Sequence, residues 1–380
     1  MVQLPPPGPA RRRLVALGVA AFVALVVGFV VGSGSGGSEP ARTVPKPSKQ
    51  AVARAKGMSL ERQVGELLVI AFPPPGVPSD VKRALRQGRA SGVVLFRGNA
   101  KTQPAMRAVT SAVQRAGRGR VLICLDQEGG PIRILPWDPP VPAQSAQGTP
   151  GVAQTQAKEA AKALAADGVN VTLAPVADVG TPGSVMRARA FPGGVTQVAS
   201  ITAAAVRGYS GTRVAATLKH FPGFGSAGQN TDDVRVTISS PKASLETRDL
   251  PPFKAGVKAG APIVMASHAV YSGIDRKNIA SQSPAILNGL LRKELGFKGV
   301  VMTDGMEAAA VLKRSSLEEA ALRSVNAGAD LLLLTGARSF PRVYKQLLEG
   351  AKRSPKFRAR IAEAAARVIA LKRSLGMRRG

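Results

Sequence analysis

From residue 58 onward the chain alternates short apolar runs with longer amphipathic ones. Eight runs read as strands: 67–72, 92–96, 121–125, 169–173, 214–218, 263–266, 299–302 and 329–334. Most are continuously apolar and lack the in–out alternation of a half-exposed strand, which is the signature of strands buried on both faces. Between them, 104–116, 151–166, 195–209, 284–295 and 317–327 carry apolar residues at helical spacing, and 357–375 reads as a final helix. Eight strands separated by crossover helices predict a parallel (β/α)8 TIM-type barrel over 58–376, with the last helix closing the ring. A doubly wound sheet is the alternative, because strand order is invisible in a sequence.

The pattern changes before residue 58. Arg11-Arg12-Arg13 ends a basic N-terminus, 1–13, and the uncharged run 14–31 follows, eighteen residues of mainly Val, Ala, Leu and Phe. That length just spans a bilayer and predicts a membrane anchor. A cleaved signal segment is the alternative, but there is no clear Ala-x-Ala site and no cysteine for lipid attachment. Basic residues before the span predict a cytoplasmic N-terminus and an extracytoplasmic bulk, secreted outright if the segment is cleaved. Residues 32–57, rich in Gly, Ser and Pro, read as a linker. Residues 377–380 form a basic tail.

Composition sharpens this picture in two places. Aromatics make up only 4% of the 380 residues, so the core must be built from Ala, Val, Leu and Ile, as repeated helix–strand packing requires. The formal net charge is +30, and 351–380 alone holds ten Lys/Arg against the single acid Glu363. Such an excess attracts polyanions. No aromatic platform or recognised module accompanies it, so nucleic acid is not the predicted partner; anionic cell-envelope polymers are. Cys124 is the only cysteine and lies within an apolar strand, which leaves no intramolecular disulfide and no thiolate metal site. With His220 and His268 as the only imidazoles and no supporting spacing, neither a metal nor another cofactor is predicted.

The predicted strand ends carry the chemistry. Asp126-Gln127-Glu128-Gly129-Gly130 follows the third strand, and Pro175 and Asp178 the fourth, with Arg187 and Arg189 further along that loop. Lys219-His220 follows the fifth, Ser267-His268 the sixth, and Thr303-Asp304-Gly305-Met306-Glu307 the seventh. In parallel α/β folds these ends open onto the ligand crevice. Carboxylates accept from hydroxyls while Lys, Arg and His donate to them, which suits a polyhydroxylated, uncharged substrate. Glycoside hydrolysis needs two carboxyl groups, one attacking the sugar and one protonating the leaving oxygen. Asp304, at a rigid strand end, is the nucleophile candidate; Asp232 and Asp233, on the long segment after His220, are available as the acid.

Four of these stretches carry a resemblance. Asp126-Gln127-Glu128-Gly129-Gly130, Leu173-Ala174-Pro175-Val176-Ala177-Asp178-Val179, Lys219-His220-Phe221-Pro222-Gly223 and Val301-Met302-Thr303-Asp304-Gly305-Met306-Glu307 occur in the order and spacing of glycoside hydrolase family 3. The chain is most similar to its single-domain β-N-acetylglucosaminidase (β-hexosaminidase) branch, over roughly 58–375. The resemblance implies a retaining hydrolase on a (β/α)8 barrel that trims N-acetylglucosamine from peptidoglycan fragments or related glycans, without metal. It makes Asp304 the nucleophile, and Asp126, Arg189, Lys219 and His220 ligands of sugar hydroxyls, with His268 lining the pocket.

The departures from that family fall on one function. Where the branch continues with a second His and then an Asp-x-His acid/base pair, this chain has Phe224 and Asn230-Thr231-Asp232. Pro131 replaces an arginine after the two glycines, and Arg133 is the residue available to compensate. Two outcomes follow: Asp232 serves as acid/base, or the protein binds glycan without turnover. Other readings fit less well. Gly223-Phe224-Gly225-Ser226-Ala227-Gly228 matches a dinucleotide fingerprint, but 229–238 contains Asn-Thr-Asp-Asp and then strand-type alternation, not the required helix. No Gly-x-Ser-x-Gly nucleophile elbow is present.

Overall fold

The structure is a computed structural model that describes residues 47–377. The predicted span 14–31, most of the predicted linker and the last three residues lie outside the described residues. Among the described residues no helix is long and apolar enough to cross a membrane.

Eight parallel strands close a barrel in sequential order: β1 (Leu68–Ile70), β2 (Gly92–Val94), β3 (Leu122–Leu125), β4 (Val171–Thr172), β5 (Ala215–Phe221), β6 (Ile263–Ala266), β7 (Val300–Gly305) and β8 (Leu331–Leu334). The last strand returns to the first through Leu68 opposite Leu332 and Val69 opposite Leu333. This is the predicted (β/α)8 architecture, and all eight predicted strands are present. The period of two along each strand divides the core. Val69, Val94, Cys124, Val171, Ile263, Met302, Leu331 and Leu333 share one cluster inside the barrel. Their neighbours Leu68, Ile70, Val93, Ile123, Val264, Leu332 and Leu334 pack outward against the helices. Continuous apolar runs are thus what a two-sided burial demands.

The helices Val195–Tyr209 and Leu317–Ala327 have their predicted bounds, and Gln103–Ala116 and Pro150–Ala166 begin one residue earlier than expected. Thr102, Thr149 and Ser316 cap three of them by accepting backbone N–H groups. The stretch read as the end of a linker begins a helix at Lys49–Gly57, capped by Ser48, with Ala51 and Ala55 fully buried. It packs on the last helix, Pro355–Ser374, and a basic exposed face had masked that small apolar stripe.

The last helix does more than complete a ring. Val368 and Leu371, with Leu375 just beyond, enter the interior cluster and close the end of the barrel where the strands begin. Asp330, fully buried at the start of β8, fixes this helix by accepting from Arg360 at 2.6 Å and Arg367 at 3.3 Å, while also accepting from Arg292 at 2.5 Å and the Val301 N–H at 2.9 Å. Burial alone would raise its pKa, but the three guanidinium groups hold it below the ordinary aspartate value. With that end plugged, the opposite mouth is left for chemistry. Two small sheets outside the barrel decorate it: a hairpin of Gln127–Gly129 with Ile132–Arg133, and a three-stranded sheet of Thr237–Pro241, Val270–Gly273 and Asp275–Ile279.

Candidate active site

A cavity of about 470 Å³ opens where the strands end. It is lined by Asp126, Arg189, Lys219, His220, Asp232 and Asp304, which come from five different strand ends and loops. Six of the eight sequence-predicted site residues therefore meet in one place.

The strand β5 runs further than its apolar stretch predicted, carrying Lys219, His220 and Phe221 as buried strand residues. Strand geometry sends neighbours to opposite faces, yet both Lys219 and His220 line the cavity; the register against β6 shifts between Leu218 and Phe221, which re-aims the pair. The peptide between them is cis.

Lys219 Nζ lies 2.6 Å from Asp126 Oδ1 and 2.6 Å from Glu128 Oε1. Glu128 in turn receives Arg189 through both Nε, at 3.0 Å, and Nη2, at 2.6 Å. Glu128 is 2% exposed, so burial would raise its pKa, but Lys219 and Arg189 overcome that and hold it at about 2. Burial likewise opposes the charge on Lys219, and Asp126 and Glu128 outweigh it, raising its pKa. The two cations are thereby fixed as cations. Lys219 has a third N–H left for a ligand. Glu128 belongs to the motif that follows the third strand, but its buried position behind the two cations is not legible in the sequence.

His220 is set by Asp178. One carboxylate oxygen sits 2.8 Å from the ring Nδ1; the other accepts the backbone N–H of His220 at 3.2 Å and of Phe224 at 2.6 Å. With Nδ1 committed, Nε2 is the ring's remaining polar atom. Phe224 meets this ring edge-on, with centroids 6.1 Å apart.

The glycine-rich loop answers to packing. Gly223 has φ +130°, and a Cβ there would stand 2.5 Å from the Asp249 Cβ; at Gly225 it would stand 2.0 Å from the Val179 carbonyl oxygen. No side chain fits at either position, which accounts for these two glycines without any phosphate. The loop then passes over the cavity, where the Thr231 and Asp232 carbonyls accept the backbone N–H groups of Ala310 and Ala309 at 3.0 and 3.1 Å. Asp232 is thus pinned to the segment that follows Asp304.

The two aspartates differ in environment. Burial would raise Asp304, but His220, His268, the Gly305 N–H at 2.8 Å and Lys219 hold it below the ordinary value. For Asp232, desolvation and then the charge of Asp304 raise its pKa, against the opposing effects of the 3.0 Å hydrogen bond from Asn230 and of His268. One carboxyl group favours ionisation and the other favours its proton.

Two predicted ligands need correction. His268 does not line this cavity: it is buried, with Nδ1 2.8 Å from Ser281 Oγ and Nε2 3.0 Å from the Gly305 carbonyl oxygen, so both ring nitrogens are used in bracing the Asp304 strand end. Arg133 lies in the hairpin, where its carbonyl accepts from Arg97, and Ile132 takes the cavity-facing place. The Arg133 side chain is not among those lining the cavity. Phe96, Glu307 and Thr335 line the cavity and were missed. Glu307 Oε2 accepts from the Thr335 N–H and hydroxyl, both at 2.7 Å, and its Oε1 is buried without a partner. Among the described residues no group of His, Cys, Asp or Glu is placed to hold a metal ion.

The model of the glycosyl hydrolase family 3 N-terminal domain matches residues 59–371. A β-hexosaminidase of Xanthomonas oryzae pv. oryzae is 34% identical over 282 residues, covering 70% of this chain and 83% of its own. One from Stenotrophomonas maltophilia is 35% identical over 281 residues, with the same coverage. Among solved structures, the family 3 β-N-acetylglucosaminidase of Paenibacillus sp. superposes with a TM-score of 0.80 at 30% identity, covering 85% of this chain but 64% of that one, less than two thirds of its length. The β-N-acetylhexosaminidase of Beutenbergia cavernae gives 0.76 at 32% identity, covering 83% of this chain and 98% of its own. On this match, with the barrel and its strand-end residues in place, the chain belongs to glycosyl hydrolase family 3.

Proposed function

We propose that the protein is a retaining β-N-acetylhexosaminidase that cleaves N-acetylglucosamine from a glycan, with Asp304 as nucleophile and Asp232 as acid/base. The observation that carries this reading is the opposite shift of two carboxyl groups bordering one cavity. A nucleophile must be ionised when substrate binds, and an acid must hold its proton; the surroundings of Asp304 and Asp232 favour those states respectively.

In the proposed mechanism Asp304 attacks the anomeric carbon while Asp232 donates its proton to the departing oxygen. Water, deprotonated by Asp232, then releases the sugar from Asp304 and restores both groups. Asp126, Lys219, His220 and Arg189 hold the sugar hydroxyls, and the face of Phe96, 38% exposed at the cavity rim, stacks on the apolar face of the ring. The preference for the 2-acetamido sugar is supported by the relatives named above. A cell-wall source for the glycan, and an extracytoplasmic position behind the 14–31 segment, are proposals that rest on the sequence.

The second reading, glycan binding without turnover, is favoured by the absence of a histidine at Phe224 and at Asp232. Incubation with a chromogenic N-acetyl-β-glucosaminide separates the two. The proposal expects turnover by the parent and its loss in Asp304→Ala; a parent inert on several aryl N-acetylglucosaminides, yet still retaining N-acetylglucosamine, supports the binder.

A further inference from the structure

The plugged end of the barrel, remote from Asp304, carries a second cavity of about 80 Å³, several times the ~10–15 Å³ that admits one water. Five basic side chains and one acid surround it: Arg54, Arg62, Arg120, Lys372, Arg373 and Glu66. The basic groups arrive from separate pieces of chain: the helices Lys49–Gly57 and Leu60–Gly65, the loop before β3, and the end of the last helix. Folding therefore gathers them; they are not a local run.

Glu66 does not neutralise the group. Its Oε2 accepts from Lys372 Nζ at 2.6 Å and from the Ser91 hydroxyl at 3.2 Å. Among the described residues no carboxylate forms an ion pair with Arg54, Arg62, Arg120 or Arg373. Burial, then Arg62 and Arg54, weaken the hold of Arg120 on its proton, with Glu66 in opposition. Four guanidinium groups share a concave space whose one carboxylate, Glu66, is already paired with Lys372, an arrangement that self-repulsion disfavours. The three arginines around Asp330, by contrast, are each matched by its carboxylate.

A single carboxylate would engage one of these forks, whereas a phosphate group offers several acceptor oxygens and more than one charge to guanidinium groups converging from different directions. We propose that this cavity is an anion site that binds a phosphate group, carried by a small free ligand or by a lipid headgroup. It is separate from the hydrolytic cavity, and nothing in it depends on the reading of Asp304 and Asp232.

The test uses the full chain. Thermal unfolding is followed in sodium chloride and in sodium pyrophosphate at matched ionic strength, for the parent and for the double variant Arg54→Gln/Arg120→Gln. Pyrophosphate at a hundredfold excess over its Kd is expected to raise the parent Tm by about 4 °C. The double variant is expected to lose that response, to unfold in chloride no earlier than the parent because repulsion is relieved, and to hydrolyse glycoside at the parent rate. Retention on phosphatidylglycerol vesicles in excess of phosphatidylcholine vesicles, abolished in the double variant, assigns the phosphate to a headgroup; a pyrophosphate response without that excess assigns it to a free ligand. A parent with equal Tm in both media and no vesicle preference overturns the proposal, as does a double variant that keeps the parent's responses.

Discussion

Asp178 grips His220 at two points: its Oδ2 lies 2.8 Å from the ring Nδ1 and its Oδ1 accepts the backbone N–H at 3.2 Å. The same Oδ1 takes the Phe224 N–H, so one buried carboxylate sets both the imidazole and the start of the loop that carries Asp232. Asp178→Asn keeps the volume but cannot accept at both oxygens. We expect kcat/KM to fall about 100-fold, as a small misplacement of positioned groups does, with Tm nearly unchanged. Steady-state kinetics on an aryl N-acetylglucosaminide checks this; a loss of less than threefold contradicts the positioning role.

The pairing of Lys219 with Glu128 and Asp126 makes a prediction about stability. Glu128 has a folded pKa of about 2, below its unfolded value. Its contribution is therefore fully present above the unfolded carboxylate pKa and is lost as the pH falls through about 2. Lys219→Met leaves Glu128 buried with Arg189 as its remaining partner, which should cost about 3 kcal/mol at neutral pH. Acid unfolding should begin at higher pH in the variant, because burial then pushes Glu128 upward. Circular dichroism from pH 7 to 2 reads both effects; coincident acid transitions would contradict the coupling.

The opposite shifts of Asp304 and Asp232 predict a bell-shaped profile for kcat/KM. Activity falls on the acid side as Asp304, held below the ordinary aspartate value, takes up a proton. It falls on the alkaline side as Asp232, raised above that value, loses one. Asp232→Asn should abolish the alkaline limb and leave the acid limb in place. A profile for Asp232→Asn that keeps both limbs assigns the alkaline limb to another group.

Much of this was legible before the structure. Continuous apolar runs such as Leu331–Leu334 announce strands buried on both sides, and eight of them announce the barrel, because two-sided burial leaves no polar position along the strand. Motifs at their ends located Asp126, Lys219, His220 and Asp304 for the same reason: a polar residue ending such a run has somewhere to point. Side-chain direction was not legible. His268 ends an apolar run as His220 does, yet its ring nitrogens meet Ser281 and Gly305 and it does not line the cavity. Arg133 is missing from the cavity lining, where its hairpin neighbour Ile132 stands. Phe96 and Glu307 were missed because their value depends on neighbours that only the closed barrel supplies.

We propose that Asp232 carries the proton-transfer role that the family resemblance assigns to an Asp-x-His pair. The most direct measurement is kcat/KM of Asp232→Ala on N-acetylglucosaminides with good and poor leaving groups, with and without azide. An acid is needed only when the leaving oxygen is basic, so a dinitrophenyl glycoside should lose about tenfold or less and a phenyl glycoside about 1,000-fold. Azide, which needs no general base, should restore turnover and yield the β-glycosyl azide. Equal losses on both substrates, or full activity on the phenyl glycoside, would contradict the account.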